Sequence, residues 1–179
     1  MRIPDDVPTL SNGVVNLRTP GSRTTSPGPD HGDGYFTTIN YYAERPGVIR
    51  FVVVDDQDQV TWISDEVSAI AGAGVLSLDE PVGLTAGSNL GVYSAGYGVI
   101  SFDYDASAAP ADFNNYGSGL PAVGDTLDYV GSSKRVYSMN ATVKASSPEI
   151  CKNDGWMSYG YPNQGQCIAS VVANANSGK

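Results

Sequence analysis

The stretch Val48-Ile-Arg-Phe-Val-Val-Val54-Asp-Asp-Gln-Asp-Gln59-Val-Thr-Trp-Ile63 decides the fold. Two short runs rich in β-branched and aromatic residues flank five Asp and Gln residues. That pattern is the signal of a β-hairpin closed by a longer turn. Similar runs recur on both sides of it: Val14 to Arg18, Tyr35 to Ala43, Val75 to Leu78, Leu90 to Tyr93, Val99 to Tyr104, Thr126 to Val130 and Arg135 to Lys144. Polar Gly/Pro/Asp/Ser segments separate them, the longest being Thr19 to Gly34. Val67 to Ala71 and Ala106 to Ala111 read as single helical turns, and no long helix precedes the tail.

The run Arg135 to Lys144 shows the clearest period of two. Tyr137, Met139, Ala141 and Val143 form the set expected to face a core, and Val136, Ser138, Asn140 and Thr142 the set expected to face outward. Many short strands without helical connections predict an all-β chain, an antiparallel β-sandwich of jelly-roll type in preference to a closed barrel. The expected division is a β-sandwich domain over residues 1–146 and a small C-terminal appendage over 147–179.

Composition agrees with turns and strands. The 179 residues include 21 Gly and 11 Pro, and only 16% are charged. Most of the acidic residues are Asp, which suits turns. The net charge of −9, with Lys134-Arg135 as the densest basic spot, argues against nucleic-acid binding, because no cationic patch exists to displace counterions from phosphates. No apolar run approaches the length of a membrane span. The opening Met1-Arg-Ile-Pro-Asp-Asp-Val-Pro8 lacks a basic-then-apolar signal and reads as the lead-in of a mature domain, so export implies a targeting segment already removed.

The tail Cys151-Lys-Asn-Asp-Gly-Trp156-Met-Ser-Tyr-Gly-Tyr-Pro-Asn163-Gln-Gly-Gln-Cys167 holds both cysteines of the chain. Two cysteines bracketing a compact loop read as a disulfide, which persists outside the reducing cytosol. Closing such a loop stabilises by roughly 3 kcal/mol in the chain-entropy account. Trp156 is large enough to cover the bridge, and Gly155, Gly160 and Gly165 allow a tight path around it. A metal or redox site is disfavoured, since there is no Cys-x-x-Cys spacing and the single His31 is remote in sequence.

The pattern carried by Cys151, Lys152, Gly155, Trp156, Tyr159, Gly160, Asn163, Gln164, Gly165, Gln166, Cys167 and Ile168 resembles a C-terminal module that recurs in exported proteins of actinobacteria and related bacteria. The resemblance covers about residues 151–172, and Asp154 stands where that module would carry a second Gly. It implies export, to the cell surface or beyond, and a small folded tail. It carries no activity with it.

Catalytic patterns are sparse. His31 lies in a Gly/Pro loop without the strand-turn-helix setting of a nucleophile, and the Gly residues do not form a phosphate loop before a helix. The four Glu lie near turn signals, not in strands lining a cleft. The expectation is therefore a protein that is not an enzyme and has no cofactor. Asp55, Asp56 and Asp58, like Asp30 and Asp33, supply the oxygen atoms that calcium would need, although hairpin turns use Asp for local hydrogen bonds as well. Asn140-Ala-Thr142 has the form of a glycosylation sequon, expected to be unused in a bacterial protein.

The aromatic residues point to binding. Tyr93 and Tyr97, and Phe113 and Tyr116, stand beside Gly, Asn and Ser in what read as loops, with Asp103, Asp105, Asn114 and Asn115 as polar complement. Flat rings beside hydroxyl-binding groups suit sugars, while tyrosines capping a core are the plainer alternative. Two roles follow: an extracellular structural or adhesive element that self-associates through strand edges, or a carbohydrate-binding module that holds an extracellular polysaccharide.

Overall fold

The computed structural model describes residues 13–16, 34–85, 87–94, 98–104, 111–114, 119–141 and 143–177. In chain order the strands are β1 (Gly13–Asn16), β2 (Gly34–Ala43), β3 (Gly47–Val54), β4 (Val60–Ile63), β5 (Val67–Ala69), β6 (Gly72–Leu84) and β7 (Asn89–Ser94). They continue as β8 (Phe102–Tyr104), β9 (Ala111–Asn114), β10 (Tyr129–Ser133), β11 (Arg135–Tyr137), β12 (Met139–Ala141) and β13 (Lys144–Ala145). A 3₁₀ turn (Pro148–Cys151) and two helices, α1 (Gly155–Ser158) and α2 (Gln164–Ser177), complete the chain.

A seven-stranded sheet runs β10-β9-β1-β7-β3-β4, with β5 also on β3. A four-stranded sheet centres on β2, which pairs with β6 along one edge and with β12 and β13 along the other. β8 and β11 form a separate ribbon. Every strand pairing among the described residues is antiparallel.

The hairpin that decided the sequence reading closes one end of the seven-stranded sheet, and its β3 is covered on both faces. Alternate residues of β3 divide between two apolar clusters, as the period of a strand requires. Ile49, Phe51 and Val53 join Phe36, Ile39 and Ala43 of β2, Val82 and Leu84 of β6, and Met139 and Ala141 of β12. Rings connect the two larger sheets there. Phe36 meets Trp62 edge to face at 5.9 Å, and Tyr41 meets Phe51 at 5.6 Å. On the other side of β3, Val52 and Val54 pack with Val60 and Leu127. The segment carrying Leu127 is tied down by its backbone: Val60 N donates to the Asp125 carbonyl, Gly124 N to that of Val60, and Leu127 N to that of Asp58, each at 2.8 Å.

Several elements differ from the sequence expectation. Val67–Ala69 is a strand, not a helical turn, because pairing with Gly47–Ile49 lets it bury Ala69. Thr126 makes only an isolated bridge to Gln59, and β10 starts at Tyr129. The run 135–144 breaks into three strands, first where its partner changes and again between β12 and β13, which both pair with β2. β11 pairs with β8, and at Ser138 the chain crosses to β2 as the Ser138 amide donates to Ser101. The predicted alternation survives the break: Tyr137, Met139, Ala141 and Val143 are buried and Asn140 is exposed. β6 extends well past Val75–Leu78. It absorbs Pro81 at a register shift opposite Phe36 and Thr38, where a missing N–H costs no ladder bond. The expected helical turn at Ala106 to Ala111 falls outside the described residues except for Ala111, which begins β9.

In the tail, Cys151 and Cys167 are bonded to each other and fully buried. With Ala145 and Val171 they form a third cluster, flanked by Ile150, Trp156, Tyr159, Tyr161 and Ile168. Tyr159 also packs against the main core, which joins the tail to the sheets. The apolar run Ile168 to Val172 lies in α2, a helix of 14 residues. Asn163 Oδ1 accepts from the Gln166 amide at 2.9 Å, capping its first turn. Gly155 is required because a β-carbon there would meet the Ile150 carbonyl. Asp154, where the resembling module would carry Gly, has a left-handed backbone with φ 65°. None of the described helices is long and apolar enough to cross a membrane.

Candidate functional site

The expected aromatic site is only partly within the described residues: Tyr97, Asp105, Asn115 and Tyr116 lie outside them, as do Asp30, His31 and Asp33. The placement of the remaining rings in loops is corrected by the strand pairing. Tyr93 is the penultimate residue of β7, paired with Val14 of β1 on one side and Arg50 of β3 on the other, and it packs half-buried against the Val52–Leu127 cluster. Phe113 and Asn114 are in β9, paired with Val15 of β1 and Tyr129 of β10. One strand, β1, separates Tyr93 from Phe113. The local cue of Gly and Ser neighbours was misleading because β7 pairs on both edges, and that pairing ties distant segments.

Asp103 is exposed on β8, opposite Val136 of β11, on a different sheet from Tyr93. Asp55 closes the β3–β4 turn. Its Oδ1 accepts from the Gln57 amide at 2.9 Å and from the Gln59 amide at 2.8 Å, and Asp58 takes φ 65° in the same turn. This is the local use of Asp that a tight turn requires. Among the described residues no group of three or more His, Cys, Asp or Glu gathers as a metal site, Asp55, Asp56 and Asp58 included. Arg135, half of the densest basic spot, is buried with its guanidinium 4.6 Å from the Phe102 ring centre, so it is spent on packing.

A groove of about 310 Å³ lies instead where β2 passes the β11–β12 segment, lined by Asn40, Tyr42, Val136, Ser138 and Asn140 among others. Asn40 and Asn140 are directly opposite in register, and Asn40 Nδ2 donates to Asn140 Oδ1 at 3.2 Å. Tyr42 stands two residues along β2 on the same face and is 52% exposed. Asp103 is paired in register with Val136, one of the lining residues. Of the described residues singled out in the sequence for binding, Asp103 is the one paired with a residue of this groove. Asn140 belonged to the outward set of the alternating run, but its meeting with Asn40, one hundred residues away, depends on a strand pairing no local signal reveals.

The four-stranded sheet has a second feature on its opposite edge. β6 pairs with β2 alone among the described residues, and no described strand covers its far edge. Gly72-Ala-Gly-Val-Leu-Ser-Leu78 holds no charge, Val75 is 62% exposed, and Ile70 just before it is 74% exposed. Comparison with protein-family models, with characterised proteins and with solved structures found no match.

Proposed function

We propose that this chain is a noncatalytic extracellular structural or adhesive domain, a jelly-roll-like β-sandwich that self-associates by pairing β6 with β6 of a second copy. The single observation that carries the reading is the uncharged edge of Gly72–Leu78, which no described strand covers, beside exposed Val75 and Ile70. Natural sheets blunt such edges with charge, proline, bulges or brevity. The other edge of this sheet follows that rule, being formed by β12 and β13, of three and two residues. β6 keeps its Asp79, Glu80 and Pro81 beyond the uncharged run, so antiparallel self-pairing about Val75 meets no repulsion. A lone strand pair falls at the low end of interface sizes, below roughly 1,200 Å², so the association is reversible and gains strength from repetition.

The sandwich reading rests on the apolar layer shared by the two larger sheets and on the ring contacts across it. The extracellular reading rests on the Cys151–Cys167 bond and on the resemblance of the segment around it to an export-associated module. Sedimentation velocity over a hundredfold concentration range tests the assembly. The expected result is a concentration-dependent species larger than the monomer that Val75→Lys removes without lowering Tm. A monomer throughout, or assembly unaffected by Val75→Lys, rejects it.

A further inference from the structure

We infer that the groove between β2 and the β11–β12 segment is a binding site for a neutral oligosaccharide. The Asn40–Asn140 hydrogen bond uses one amide donor and one amide acceptor. It leaves Asn40 Oδ1 as a further acceptor and Asn140 Nδ2 as a further donor for the hydroxyls of a ligand. Each amide also holds the other in place, so little rotamer freedom is lost when a ligand arrives. Exposed Tyr42, on the same face, offers a flat ring to the C–H face of a pyranose, and Ser138, whose carbonyl accepts from the Tyr42 amide, adds a hydroxyl to the lining. No charged residue lines the groove. An anionic sugar would find no cation among the lining residues; a neutral one finds donors and acceptors. At about 310 Å³ the opening takes one or two sugar rings of a longer chain. This site lies across β2 from the β6 edge and is independent of the self-association proposed above.

The test is isothermal titration of the purified chain with cellohexaose, maltohexaose and xylohexaose, with hexagalacturonic acid as the anionic comparison. Saturable binding of at least one neutral hexasaccharide is expected, with Tyr42→Ala and Asn140→Ala each weakening it about tenfold or more. Asn140→Asp, close in volume and exposed, separates recognition from folding. It should weaken binding similarly while Tm stays within about 2 °C of the parent. Side-chain amide signals of Asn40 and Asn140 in a nitrogen–proton correlation spectrum should shift on titration. No binding of any neutral hexasaccharide at millimolar concentration overturns the inference. So does stronger binding of the anionic sugar, or neutral binding unchanged in the Tyr42 and Asn140 variants. Val75→Lys should leave sugar binding intact, which keeps the two proposals separable.

Discussion

The ring of Tyr41 lies over Gly74 on the neighbouring strand, in the space that a β-carbon at position 74 would occupy. The ring cannot retreat, because its other side packs on Phe51 of the facing sheet at 5.6 Å. A glycine that merely loosened a strand would gain from acquiring a side chain, since glycine is a poor strand residue. This one makes room for a core aromatic.

Gly74→Ala should therefore destabilise the domain by about 1–3 kcal/mol, the usual cost of overpacking a filled site. Gly83, in the same strand, has open space where its β-carbon would go, and Gly83→Ala is the control. Its effect should stay within about 0.5 kcal/mol. Urea denaturation of both variants reads the difference directly. Equal effects at the two positions would mean that the Tyr41 ring yields without cost.

The disulfide gives a second expectation. Cys151 and Cys167 enclose a loop of 16 residues in sequence separation and sit at the centre of the tail cluster. Replacing both with Ser should cost about 3 kcal/mol by the chain-entropy estimate. Because Tyr159 connects that cluster with the main core, the loss should appear in the global transition, not as a separate early melting of the tail. Non-reducing mass spectrometry of a tryptic digest should first show the linked peptide. Two freely alkylated thiols in protein recovered from outside the cell would remove the staple and weaken the extracellular reading with it.

The strands were legible wherever side-chain pattern alone decides them. The β3–β4 hairpin and the inward set Tyr137, Met139, Ala141 and Val143 were read correctly because local alternation records which face meets the core. The cysteine pair was legible for the same local reason. What could not be read was which strand lies beside which. The run Leu90 to Tyr93 was read as a strand, but grouping Tyr93 with the Gly/Ser-flanked Tyr97 also set it among loop rings, because its partners on β1 and β3 are far away in sequence. The Asn40–Asn140 groove was hidden likewise. One cue was present and unused: Asn163 followed three residues later by Gln166, just before an apolar run, is the start signal of a capped helix. The continuous Val52-Val53-Val54 run was another, since a strand covered on both faces loses its alternation.

The acidic turn between β3 and β4 separates two chemistries that the sequence allowed. As a turn, it depends on Asp55 Oδ1, which accepts two backbone N–H groups and fixes the path from Val54 to Val60. Asp55→Ala should then cost about 1–2 kcal/mol, as expected for lost hydrogen bonds to an exposed carboxylate. Asp55→Asn, which keeps an oxygen at the same place, should lose less than half as much. A calcium site would behave differently, since ligand binding raises stability with the concentration of free cation. It would also suffer from Asp55→Asn nearly as badly as from Asp55→Ala, because the amide brings no charge to the metal. Thermal melts of the parent and both variants in chelator and in millimolar calcium distinguish these cases. The expected result is that the parent melts at the same temperature in both buffers, with Asn well above Ala in each. A calcium-dependent rise in Tm that disappears in Asp55→Asn would instead assign the cluster to the metal.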